Sequence, residues 1–196
     1  MGVLGIVLAS VFWGLTNRPV TLISDTSALI GVLTAKDRVL SKPKSAGFVA
    51  RNWLQHDGDK RHQAVATERW VGLDEALTNQ VISPNIGRLD WAHVVPKKTI
   101  PTIISCNLKQ VFIASITLDL PETCLVLDAS VFAETGSLKI LYQAGFFKVR
   151  RAQNFNNGRL WNTSRNRKSK SARQTVAALT ERLNRFGSIP PNALEP

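Results

Sequence analysis

The chain has 196 residues, 44% of them hydrophobic and 20% charged, with a net charge of +11. This composition excludes global disorder and leaves room for about one ordinary domain behind an apolar start. Two cysteines, Cys106 and Cys124, stand eighteen apart without a Cys-x-x-Cys pair. That spacing gives no support to a structural zinc site and reads as two buried thiols or one disulfide.

Residues 1–17 carry no charge, and Arg18-Pro19 ends the run. A membrane helix needs about 20 apolar residues, and a secretory signal opens on a basic stretch that is missing here. Length and flanks favour an apolar membrane helix over a buried core element or a signal peptide. No second apolar run approaches spanning length, so any membrane attachment is through the N-terminus.

Residues 20–23 and 28–34, with the turn chemistry of Asp25-Thr26-Ser27 between them, predict a strand meander that continues to Val39-Leu40. Phe48, Val49, Trp53 and Leu54 recur at helical spacing and predict a short amphipathic helix over 47–55. A polar loop, 56–62, follows. Residues 63–79 read as one helix or as a strand and a helix, with Gly72 against a continuous helix. Ser83-Pro84-Asn85 marks a turn. Strands are expected at 91–95, stopped by Pro96-Lys97-Lys98, then at Ile103-Ile104, 111–118, 125–127 and 138–142. In 146–150, Phe147 and Val149 alternate with Lys148 and Arg150, the period of a half-exposed strand. The sum is an α/β domain over 18–163, with a mixed, largely antiparallel sheet and two or three helices. A basic linker at 164–171, an amphipathic helix at 172–189 carrying Val176, Leu179, Leu183 and Phe186, and a tail at 190–196 complete the chain.

Charge is concentrated late. Lys148, Arg150, Arg151, Arg159, Arg165, Arg167, Lys168, Lys170 and Arg173 lie in a stretch without a single acid. Phe155, Trp161 and the amides of Asn154, Asn156, Asn157 and Asn162 are interleaved with them, and Asn156-Asn157-Gly158 is a turn signal. Cations neutralise phosphates and aromatic rings stack bases, so these nine residues form a candidate site for single-stranded nucleic acid. A solvated tail is the alternative.

The catalytic search is negative. His56-Asp57-Gly58-Asp59-Lys60-Arg61-His62 is the densest polar cluster, but its histidines are six apart and two cations intrude, against a metal site. There is no Gly-x-Ser-x-Gly, no Gly-rich phosphate loop and no Walker A sequence. Cys106 and Cys124 sit beside apolar strands, where inert thiols are usual. Asp119, Glu122 and Asp128 flank the 125–127 strand and read as turn residues rather than an acid/base pair. The expectation is a non-enzyme with no cofactor and no metal.

The order of several short motifs resembles the C-terminal region of the ComEC family of competence proteins, alphaproteobacterial type. These are the apolar helix end before Arg18-Pro19-Val20-Thr21-Leu22-Ile23-Ser24, then Leu29-Ile30-Gly31-Val32 and Val39-Leu40-Ser41. Gly47-Phe48-Val49-Ala50-Arg51-Asn52-Trp53-Leu54 leads to Asp57-Gly58-Asp59. Cys106 with the strand at 111–115, Cys124-Leu125-Val126-Leu127-Asp128 and Gly158-Arg159-Leu160-Trp161-Asn162 close the series, which covers about residues 1–163. The resemblance implies a membrane-anchored domain of a DNA-uptake channel protein, ending in a degenerate metallo-β-lactamase-like fold. The partners it implies are single-stranded DNA, the inner membrane, and a separate chain supplying the channel's membrane bundle. The chain lacks that bundle and lacks His-x-His-x-Asp-His, so channel and nuclease activity do not carry over.

Overall fold

The computed structural model describes residues 18–68, 70, 80–82, 89–94, 110–151 and 168–188. Several predicted features lie outside the described residues: the apolar helix 1–17, most of 69–79, and the turn at Ser83-Pro84-Asn85. The stop at Pro96-Lys97-Lys98, the Ile103-Ile104 strand, the Asn156-Asn157-Gly158 turn and the tail 190–196 lie outside them too. No helix among the described residues is long and apolar enough to cross a membrane.

The N-terminal meander forms as expected. Thr21–Ile23 (β1), Ile30–Leu33 (β2) and Arg38–Leu40 (β3) pair in antiparallel succession. The turn after β1 is closed by Ser24, whose hydroxyl accepts the Leu29 N–H at 3.0 Å. Leu138–Gln143 (β8) and Phe146–Arg151 (β9) extend this sheet on the other edge of β1, giving the order β3-β2-β1-β8-β9. Ala144 and Gly145 join β8 to β9 with φ of 49° and 85°. Two successive positive φ angles match the right-handed twist of the strands they connect, and glycine meets that demand without strain.

A second sheet, rather than an extension of the first, holds the middle of the chain. Gln80–Ile82 (β4), Asp90–Val94 (β5), Gln110–Ala114 (β6) and Leu125–Leu127 (β7) lie in that order. β4 and β5 are antiparallel, whereas β5–β6 and β6–β7 are parallel. A single, largely antiparallel sheet therefore holds only for the first half of the fold and its closing hairpin. The parallel pairs occur where the connections, 95–109 and 115–124, reach the roughly ten residues that a crossover needs.

The two sheets pack face to face. Ile23, Val32, Val39, Ile140 and Val149 of the first meet Trp91, Val111, Ile113, Leu125 and Leu127 of the second. Trp91 and Phe147 stack edge to face across the interface, with ring centroids 6.4 Å apart. Each of these side chains contributes about 1.5–3 kcal/mol by leaving water.

Four helices are described, three within residues 18–163 and one at the C-terminal end. Gly47–His56 (α1) and Gln63–Thr67 (α2) cover the outer face of the first sheet, where Leu40, Ala50, Leu54 and Ala66 form a second core. Ala129–Thr135 (α3) was not foreseen. Its start is set by Asp128, whose carboxylate accepts from Ser130 N at 3.0 Å and Val131 N at 3.4 Å, satisfying first-turn donors. Lys168–Gly187 (α4) begins four residues before the expected boundary, so the last part of the 164–171 linker is helical. Ser171 and Thr175 both donate to the Glu134 carboxylate of α3, which fastens the N-terminal half of α4 to that helix.

α4 closes one side of the sandwich. Phe147 N donates to Asn184 Oδ1 at 2.6 Å, Asn184 Nδ2 donates to Phe147 O at 3.0 Å, and Val149 N donates to Thr180 Oγ1 at 3.2 Å. These side chains replace the strand that β9, an edge strand, lacks. Arg182 Nη2 donates to Cys124 O at 2.8 Å, beside the edge strand of the other sheet.

Candidate nucleic-acid interface

The outer face of the first sheet carries the site, and strand alternation builds it. On β9, Phe147 and Val149 turn inward while Phe146, Lys148 and Arg150 turn out. Register then places Gln143 opposite Phe146, Leu141 opposite Lys148 and Lys139 opposite Arg150. Leu22 of β1 lies beside Lys139. Two cations thus face each other across adjacent strands, a placement that costs stability. Lys139, Lys148 and Arg150 have no ion-pair partner among the described residues.

α1 forms the wall. Ala50 and Leu54 point into the sheet, and Phe48, Asn52 and His56 follow one another at i, i+4 spacing on another stripe. Phe48 is 80% exposed. Asn52, Trp53 and His56 line a groove of about 520 Å³ with Leu22, Lys139, Leu141, Gln143 and Arg150. Gly31 permits the close approach of helix and sheet, because a Cβ there would lie 3.0 Å from the Trp53 ring and 2.9 Å from Arg38 Cδ.

One end of the groove is closed by a buried ion pair. Arg38 donates from Nε to the Asp57 carboxylate, from Nη1 to Gly31 O at 3.2 Å and from Nη2 to Pro19 O at 3.1 Å. Asp57, the groove's single carboxylate among the described residues, is therefore already neutralised.

The nine residues singled out by sequence separate into groups. Lys148 and Arg150 share the outer face of β9. Arg151 does not, because it lies on the opposite face and its Nε donates to Thr135 O at 3.0 Å. Lys168 and Lys170 belong to the first turn of α4, and Arg173 is exposed on the same helix. Arg159, Arg165 and Arg167, with Phe155 and Trp161, lie outside the described residues. Lys139, Asn52, Trp53 and His56 were missed. Lys139 was within reach, since Leu138-Lys139-Ile140 already alternates apolar and charged.

In the polar cluster at 56–62 both carboxylates are held by arginines. Asp57 binds Arg38, and Asp59 takes a two-point contact from Arg61, Nε to Oδ1 and Nη2 to Oδ2, each 2.7 Å. The Arg61 contact holds the Asp59 carboxyl below its ordinary pKa, against the opposing effect of burial. Arg61 also pairs with Asp37 at 2.8 Å. No group of three or more His, Cys, Asp or Glu among the described residues could hold a metal ion. Asp128 serves as the helix cap described above.

Two further groups lie inside the fold. His93 is fully buried, and its Nε2 lies 3.0 Å from Ser27 O, so the neutral ring donates there. Burial first, then the Lys42 cation, push its pKa down to about 3, while the Ser27 carbonyl acts the other way. Cys124 is disulfide-bonded rather than an inert thiol. The chain's one other cysteine is Cys106, which lies outside the described residues. No protein-family model, curated protein or solved structure matches this chain.

Proposed function

We propose that this chain is a non-catalytic, membrane-anchored C-terminal portion of a ComEC-like protein, acting in DNA uptake during natural transformation. The observation that carries the reading is the cationic outer face, where Lys139 stands opposite Arg150 and Lys148 follows. A sheet surface that keeps like charges opposed suits a polyanionic partner. Two packed sheets, the first covered on its outer face by α1 and α2, are what supports a degenerate metallo-β-lactamase-like domain. Arg38 and Arg61 hold the two carboxylates of the 56–62 loop, which speaks against their serving a catalytic metal. The apolar run 1–17 supplies the anchor. The disulfide at Cys124 favours a domain that matures on the oxidising face of the inner membrane.

The test is fractionation of the full chain expressed in a naturally transformable host. It should stay with carbonate-washed membranes, and its deletion should lower transformation by imported DNA. A chain recovered as a soluble monomer without detergent overturns the anchor. In that case the favoured reading is a free-standing single-strand-binding module, supported by the same cationic face.

A further inference from the structure

We propose that the groove between α1 and the β8–β9 hairpin is a binding site for single-stranded nucleic acid, with Lys139, Lys148 and Arg150 taking phosphates and Trp53 offering a ring to a base. This rests on the DNA-uptake reading and names the site where that strand would lie. The charge is directional. Lys148 and Arg150 are two residues apart on one face of β9, a separation of about 7 Å, which suits successive phosphates of an extended strand. Lys139, across the ladder from Arg150, doubles the positive charge at one point of that track.

The surroundings argue for exposed bases rather than for a generic polyanion. Leu22, across from Lys139 on β1, and Leu141, opposite Lys148, add apolar floor beside the cations, and Trp53 with the amides of Asn52 and Gln143 borders it. Apolar and aromatic surface is of use to a base only when its face is free, which a duplex denies and a single strand permits. The groove's volume, about 520 Å³, lies within the ordinary range for small-ligand sites. A lipid surface is the competing partner, because Phe48 and Phe146 are exposed at 80% and 69%. Lys139 and Arg150, however, line the groove itself, where a planar membrane makes poorer contact than a threaded chain.

The experiment uses the full chain in detergent micelles and a fluorescent oligothymidylate, with affinity measured across a salt series. Lys139→Gln/Arg150→Gln is compared with Arg165→Gln/Arg167→Gln/Lys168→Gln/Lys170→Gln. The groove variant should weaken binding at least tenfold. It should also reduce the slope of log affinity against log salt by about 1.4, two phosphate contacts at about 0.7 each. Lys139→Arg/Arg150→Lys should retain both, and thermal melting of each variant reports that the fold is intact. A duplex of equal length should bind more weakly than the single strand.

Unchanged affinity and slope in the groove variant, with loss only in the 165–170 variant, overturns the groove but leaves DNA binding standing. Equal affinity for duplex, or loss of binding to anionic phosphatidylglycerol vesicles with oligothymidylate binding intact, also overturns it. No binding of oligothymidylate by the unmodified chain overturns both the groove and the reading beneath it.

Discussion

The guanidinium of Arg38 on β3 and the carboxylate of Asp57, at the end of α1, form an ion pair with side-chain exposures of only 1% and 6%. The pair fastens the wall of the groove to its floor, and the bonds from Arg38 to Gly31 O and Pro19 O extend the joint to β2 and the chain before β1. Removing one partner leaves the other charge buried and uncompensated.

Arg38→Ala should therefore lower stability by about 3–5 kcal/mol, read as a fall in the urea midpoint. Arg38→Met/Asp57→Leu, which removes both charges and keeps volume, should recover most of that loss. A cost below about 1 kcal/mol for Arg38→Ala would show that water reaches the pair.

Lys139→Gln should act in the opposite direction on the fold. Relieving the cross-strand repulsion with Arg150 should raise stability by about 0.2–1 kcal/mol while oligonucleotide affinity falls. A melting temperature that drops would show that the packing of the Lys139 stem outweighs the repulsion.

His93 makes stability depend on pH. Its imidazole is neutral in the fold down to about pH 3, but in the unfolded chain it gains a proton below about pH 6.5. Between these values the unfolded state binds the extra proton, so stability falls on acidification, by at most about 1.4 kcal/mol per pH unit. His93→Gln should flatten this part of the profile, measured by denaturant unfolding from neutral pH down to mild acid. An unchanged slope would place the acid sensitivity elsewhere.

Asn184→Ala should leave the Phe147 N–H and C=O without their partners and cost about 1–3 kcal/mol. It also opens the β9 edge, so light scattering should reveal association on mild heating. A variant that loses stability but stays monodisperse would show that α4 shields the edge without that side chain.

The disulfide gives the fifth expectation. Cys124→Ser should cost about 2–4 kcal/mol, the typical contribution of a disulfide, and the unreduced chain should offer no thiol to maleimide reagents. Rapid labelling of the native chain would contradict the bond.

Local chemistry was readable wherever a strand had one wet and one dry face. Phe147-Lys148-Val149-Arg150 declared its register, and the spacing of Phe48, Trp53 and Leu54 declared α1. The parallel pairing of β5, β6 and β7 was not readable, because strands buried on both faces show no alternation. α3 was hidden for another reason. It is seven residues long, and Asp128, which starts it, looks the same in a turn as in a cap. The groove was only half legible, since its two sides are about 90 residues apart in sequence and meet through the pairing of β1 with β8.

The closure of the sandwich by α4 has a consequence for the basic stretch that first drew notice. Arg151, at its leading end, is bonded to Thr135, while Ser171 and Thr175, at its trailing end, are bonded to the neighbouring Glu134. The end of β9 and the N-terminal half of α4 are thus both fastened to the last turn of α3. Glu134 and Thr135 act as a single clasp on a strand and a helix, so loosening the end of α3 would release both closing elements of the sandwich together.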